Sequence, residues 1–329
     1  MDELIAKVRK ILEKKESADE IPLFTKRGFE GVKISTSYFK ALKPSKEKPR
    51  VIFIDGGNAE LVESNNFSLQ IIRVGAVCYQ DNKKVFFEKR EFYCMITFEN
   101  NQFKVETAPE KISLKFNLDD ESLKDGRAIA KISKIGGFVR RVLELELACE
   151  MIEKADYIIL DGSLEEKFTY ERKHLLELYK KSKEKNVCII GFCKTNSLIT
   201  KNGRPVSTIL LGKKEGAWYY NPVANIRSEE FLGDICFAKL NEKSSHAFRV
   251  DVYNADFEKT FGNIYNFCKD PVFIGYPYGL IEADRIARIT NKEKEYEKTK
   301  LMVKLGKDWE KIKKLQSTTD AHQILDSIG

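Results

Sequence analysis

This 329-residue chain is poor in the side chains that build most metal and disulfide sites. Three histidines are too few for a histidine-rich metal centre. The seven cysteines are scattered, odd in number and form no CxxC pair. That argues against a disulfide framework and a structural zinc site, and for reduced thiols in a cytoplasmic protein. No apolar run approaches the length that crosses a bilayer, so no membrane partner is expected. The N-terminus, MDELIAKVRKILEKK, reads as a charged amphipathic helix, not a signal peptide. Neither a fixed-period repeat nor a low-complexity linker is visible.

What the chain does have is charge and enough apolar residues for a core. Charged residues make up 33% and hydrophobic ones 42%, the balance of a soluble globular protein. The formal net charge of +7 is compatible with a nucleic-acid partner and equally with simple solubility. Between Lys292 and Leu315 nine lysines face five acids, a run that commonly forms a solvated helix face.

Two short apolar runs each end in Asp-Gly: VIFIDGGN (Val51–Asn58) and YIILDGSL (Tyr157–Leu164). Both read as buried β-strands closed by a glycine turn. A strand end is a rigid mount for a carboxylate, and the adjacent glycine lets a ligand approach the backbone. Asp-Gly is also a plain turn dipeptide. Two copies after near-identical strands favour Asp55 and Asp161 as carboxylates of one site, suited to Mg²⁺ or Mn²⁺.

The remaining pattern predicts a helix near Glu3–Lys15, strands at Ser68–Cys78 and Lys84–Phe98 with turns at Glu60–Phe67 and Tyr79–Lys83, and an irregular polar stretch over 99–125. Helices follow at about Gly136–Lys154 and Glu165–Lys185, with a buried strand at Val187–Gly191. Strands are then expected at Val206–Leu211, Ala217–Tyr220, Asp234–Lys239, Ala247–Tyr253 and Val272–Gly275. Helices are expected at Asp256–Phe267, Leu280–Thr290, Lys292–Leu315 and Asp320–Ile328. Residues 1–50 read as an N-terminal helix and extension, and 51–329 as one α/β domain. The order of elements is that of a ribonuclease-H-like mixed sheet flanked by helices, an analogy of order alone.

On the helix RRVLELELACEMIEKAD, a rotation of about 100° per residue puts Glu146, Glu150 and Glu153 on one arc. Glu144 and Arg141 fall in the opposite, apolar arc. A carboxylate there needs a partner. That partner is either Arg141 in an ion pair or the cation of Asp55 and Asp161. In GYPYGLIEADRIARIT two acids, Glu282 and Asp284, follow a Tyr-Pro-Tyr turn, and the sequence does not say which faces inward. Lys194, just past a strand end in GFCKTN, could set an ammonium beside a phosphate or be an exposed loop lysine.

Taken in order, these pieces closely resemble the NurA nuclease family. They are Asp55-Gly56, the Arg141 to Ala148 helix with Glu144, Asp161-Gly162-Ser163, Lys194-Thr195, and YPYGLIEAD from Tyr276 to Asp284. The closing DAHQILD (Asp320–Asp326) also resembles the family's end. The ordered combination carries the resemblance, from about Val51 onward. It implies a ribonuclease-H-like core, a homodimer, and Mn²⁺-dependent cleavage of DNA (Mg²⁺ as substitute), both as a 5′–3′ exonuclease and as a single-strand endonuclease. It also implies joint work with the hexameric HerA translocase on DNA ends in recombinational repair. Carried over, the catalytic set is Asp55, Glu144, Asp161, Tyr276 and Asp284, with Lys194 offsetting phosphate charge. The metal ligands are Asp55, Glu144, Asp161 and Asp284. Some members have histidine where this chain has Asp284, which can ligate a metal but cannot serve as a neutral imidazole base. Two rivals are a non-catalytic DNA-binding subunit and an actin or sugar-kinase-like phosphotransferase. The first would lack a metal carboxylate; the second would need a second Gly-Gly turn.

Overall fold

The computed structural model describes residues 1–12, 20–64, 66–110, 112–125, 128–129 and 131–319. In chain order its elements begin with α1 (Asp2–Leu12), β1 (Phe29–Gly31) and β2 (Phe39–Ala41). A meander follows: β3 (Arg50–Ser64), β4 (Phe67–Gln80), β5 (Lys83–Glu99), β6 (Gln102–Ala108) and β7 (Ser113–Asn117). After the small pair β8 (Lys124–Asp125) and β9 (Ala128–Ile129) come α2 (Lys134–Met151), β10 (Tyr157–Asp161), α3 (Glu171–Lys185) and β11 (Cys188–Cys193). The chain continues with α4 (Val206–Lys213), β12 (Trp218–Tyr220), β13 (Ala224–Ile226), β14 (Asp234–Lys239) and β15 (Phe248–Tyr253). It closes with α5 (Phe257–Tyr265), α6 (Tyr278–Ala287), α7 (Asn291–Leu305) and α8 (Trp309–Thr319).

Eleven strands form one mixed sheet in the order β2-β12-β14-β15-β11-β10-β3-β4-β5-β6-β7. Its centre is parallel: β10 lies between β3 and β11 and runs the same way as both. The other pairings are antiparallel. The central strands are covered on both faces, which is why VIFI and YIIL read as unbroken apolar runs. Side chains alternate. Ile52, Ile54, Ile158 and Leu160 enter the core shared with α2 and α3. Val51, Phe53, Tyr157 and Ile159 enter the core shared with Tyr276 and α6.

Several expected elements differ. Glu60–Ser64 is not a turn but the end of β3, because Leu61 and Val62 are covered by Ile71 and by Trp309 of α8. The stretch 99–125 contains β6 and β7, whose alternation buries Phe103, Val105, Leu114 and Phe116. Val206–Leu211 is helical, not extended: Val206, Ile209 and Leu210 are buried at helical spacing after Pro205. The third predicted helix starts at Glu171, not Glu165. No strand forms at Val272–Gly275, where the chain turns through Gly275 at φ 90°. The lysine-rich helix is two helices divided at Gly306. Strand β2, within the expected N-terminal extension, pairs with β12 at the edge of the main sheet. Asp320–Ile328 lies outside the described residues. Among the described residues no helix is long and apolar enough to cross a membrane.

Candidate active site

Asp55 and Asp161 sit at one level of the parallel centre. The last paired residues before them are Ile54 and Leu160. By alternation both carboxylates lie on the Phe53 and Ile159 side of the sheet, toward Tyr276 and α6. β11 pairs Phe192 with Asp161, and two residues on the chain turns out as Lys194. The Lys194 ammonium stands 3.0 Å from Asp161 Oδ2 and 3.5 Å from Asp55 Oδ2. It is therefore not a free loop lysine.

Asp55 is 5% exposed, and its Oδ1 accepts the Gly56 N–H at 2.8 Å. Burial, then the charges of Asp161 and Glu144, push its carboxyl up to about 7 against the pull of Lys194 and the Gly56 amide. Burial opposes the Lys194 charge, but Asp55 and Asp161, with Asp284 adding to them, hold the ammonium above its ordinary range.

Glu144 arrives from the other face of the sheet. It is 3% exposed, and Arg141 donates to its Oε2 at 3.2 Å. The remaining oxygen, Oε1, lies directly over Gly56: a Cβ on that residue would stand 2.5 Å from it. Only glycine lets the helix carboxylate come this near the Asp55 strand. Of the two sequence alternatives for Glu144, the ion pair with Arg141 is the one seen, and Arg140 Nε stands 3.4 Å from the other oxygen, Oε1. Glu153 is exposed, as the helical register predicted, whereas Glu146 is half-buried beside His174. Glu150 is exposed but ion-paired to Arg90 at 2.6 Å.

Helix α6 lies on the sheet because Gly279 meets Phe53, where a Cβ would be 2.1 Å from the ring. This seats Tyr276 against Phe192, Phe248 and Phe273. Lys194 Nζ is 6.0 Å from the Tyr276 ring centre. The Tyr276 hydroxyl is buried and has no hydrogen-bond partner among the described residues. Burial, followed by the charges of Asp161, Asp55 and Asp284, drives its pKa far upward, so it keeps its proton. Asp284 is half-buried and ion-paired to Arg288 one turn on. Glu282 turns elsewhere, to Lys84 and Arg285.

Among the described residues no three acidic, histidine or cysteine side chains form a ready-made metal cage. Lys194 supplies the positive charge between the two aspartates. The donors nevertheless fit a divalent cation. They are all carboxylate oxygens, they repel one another, and a buried hydroxyl beside them has no partner.

Sequence reasoning missed how the Asp161 turn is held. The fully buried Asp251 accepts the Leu164 N–H at 3.0 Å and pairs with Arg249 at 2.8 Å. Glu171, also fully buried, pairs with Arg141 at 2.9 Å. A buried acid at the start of a charged helix gives no periodic signal; only an unmatched arginine in an apolar arc points to it.

Residues 49–289 match the NurA domain family. No curated protein matches the chain significantly. The crystal structure of the NurA nuclease from Sulfolobus solfataricus aligns with a TM-score of 0.52 at 17% identity, over 83% of this chain and 88% of that one. The catalytic domain of human endonuclease V aligns with a TM-score of 0.40 at 12% identity, over 77% and 89% of the two chains. The ribonuclease-H-like mixed α/β fold expected from the sequence is the fold found.

Proposed function

This chain belongs to the NurA family, and from that premise we propose that it is a divalent-metal-dependent DNA nuclease acting at the Asp55–Asp161–Lys194 cluster. The observation that carries the reading is the placement of two mutually repelling carboxylates at one level of adjacent parallel strands, with Glu144 Oε1 behind them. Asp55, Asp161 and Glu144, with Asp284 from α6, would hold Mn²⁺ or Mg²⁺. When bound, such an ion acidifies an attacking water and stabilises a leaving oxygen.

The chain's own residues do the rest. Lys194 remains charged at neutral pH and offsets charge that builds on a scissile phosphate. Tyr276 keeps its proton and offers its unpartnered hydroxyl to a phosphate oxygen. Buried carboxylates held on strands need no reorganisation when substrate arrives.

The family also motivates the finer parts of the proposal: 5′–3′ exonuclease and single-strand endonuclease activity, a homodimer, and partnership with a HerA-type hexameric ATPase in end resection within the cytoplasm. Residues 1–50 would then be an extension to a nuclease domain beginning near residue 51. End-labelled single- and double-stranded DNA, incubated with Mn²⁺, with Mg²⁺ or with EDTA, tests the core of this. Metal-dependent cleavage by wild type, lost in Asp55→Asn and Asp161→Asn, is expected. Cleavage in EDTA, or by both variants, contradicts it.

A further inference from the structure

Arg141 is buried, yet it touches two of the acid-bearing segments. Its guanidinium donates to Glu144 Oε2 at 3.2 Å, to the Asp161 carbonyl at 3.4 Å and to the Ser163 carbonyl at 2.9 Å. Its Nε donates to Glu171 Oε1 at 2.9 Å. Glu171 Oε2 in turn accepts the Lys167 N–H at 2.8 Å, closing the loop that leaves Asp161. The planar fork thus ties the Glu144 side chain to the backbone on both sides of Gly162.

We infer that Arg141 is a positioning residue: it fixes Glu144 relative to Asp161, and Glu171 keeps it from drawing in both Glu144 oxygens. Two carboxylates share the one guanidinium. Glu171 takes the Nε edge, so Arg141 engages only Oε2 of Glu144. Oε1 lies over Gly56, the residue after Asp55, and 3.4 Å from Arg140 Nε. Without the Glu171 charge, the buried cation would have Glu144 as its one carboxylate partner among the described residues and would pull Oε1 off Gly56. This inference rests on the proposed metal site.

The test uses the full chain with Arg141→Lys and Glu171→Gln. Lysine keeps the charge but loses the fork; glutamine keeps a hydrogen-bonding group but loses the charge. Readouts are Mn²⁺ binding, followed by the loss of free-Mn²⁺ electron paramagnetic resonance signal, the thermal melt in EDTA, and cleavage against metal concentration. Both variants should melt cooperatively and bind DNA in EDTA like wild type. Mn²⁺ affinity should fall roughly 10- to 100-fold, as for other residues that orient metal ligands. The DNA concentration for half-maximal rate should stay fixed while the maximal rate falls. Unchanged Mn²⁺ affinity in a folded variant overturns the inference, and Glu171→Gln decides if Arg141→Lys does not fold. If wild type binds Mn²⁺ but cleaves no DNA, the nuclease reading fails, while the Mn²⁺ comparison still decides the role of Arg141. If wild type binds no Mn²⁺, the inference fails as well.

Discussion

The Lys194 ammonium lies 3.0 Å from Asp161 Oδ2. A lysine that neutralises a pair of aspartates in the absence of metal has two effects that one substitution can separate. Lys194→Met should lower the melting temperature in EDTA, because Asp55 and Asp161 lose their counter-charge. Saturating Mn²⁺ should recover most of that loss. Cleavage should stay depressed by on the order of 10²-fold even at saturating Mn²⁺, as when one stabilising donor is removed. A variant with wild-type melting and wild-type rate would show that Lys194 does neither.

Asp55 gives stability a definite pH dependence. In the unfolded chain its carboxyl titrates near 3.9, roughly the usual value; in the folded metal-free protein burial and neighbouring acids raise it to about 7. Folding therefore takes up a proton between these values. Stability is fullest below about pH 4 and is lost as pH rises toward about 7. Glu60, also raised to about 7 by burial and by Glu63, adds a slope of the same sign. Thermal melts in EDTA should show wild type losing stability across this window. Asp55→Asn should lose less, matching wild type near pH 4 and exceeding it at pH 8. Identical slopes for the two proteins would refute the assignment.

Gly56 is a steric test of the Glu144 approach. An alanine methyl would meet Glu144 Oε1 at 2.5 Å and Arg140 Cγ at 2.8 Å. Gly56→Ala should fold, since β3 is extended there, but displace the carboxylate. Activity should fall by about 10²-fold, the scale for a catalytic group misplaced by about 1 Å. Glu146→Ala, on the face of α2 away from Gly56, should remain near wild type in the same assay.

Asp284 has two possible employments, and its ion pair with Arg288 is one of them. If it also ligates metal, Asp284→Asn should raise the Mn²⁺ concentration for half-maximal cleavage, while Asp284→His should retain part of the activity. Arg288→Ala should then leave that concentration unchanged. If both Asp284 variants titrate like wild type, its role is confined to the ion pair, worth about 1 kcal/mol or less at this exposure.

The strand-end acids were legible because a buried parallel strand leaves an unbroken apolar run and its end is marked by glycine. Glu144 was legible because a charge inside an apolar helical arc is out of place, and it is indeed buried. Lys194 was legible as a candidate past a strand end, but its place between Asp55 and Asp161 was not, since the sequence alone cannot say what faces a loop residue. Arg141 appeared only as a rival partner for Glu144; its hold on Asp161 and Ser163 depends on how α2 crosses the end of β10. Strands β6 and β7 were missed although Gln102–Ala108 alternates, because the surrounding polar residues masked the period. Val206–Leu211 was misread for the opposite reason: a short apolar run does not distinguish strand from helix.

The parallel seam between β3 and β10 has a consequence for how the protein is made. Arg50, at the start of β3, is joined to Asp156 across 106 positions of chain. The β3–β7 meander needs only neighbouring segments and can form early. The seam must wait for the long crossover to close, and local pairings outpace distant ones. Tyr276 and Asp284 come later still. A nascent chain that has emerged only through β7 therefore carries Asp55 on a finished hairpin and none of its partners. The candidate site is therefore complete only once the chain has been made through Asp284.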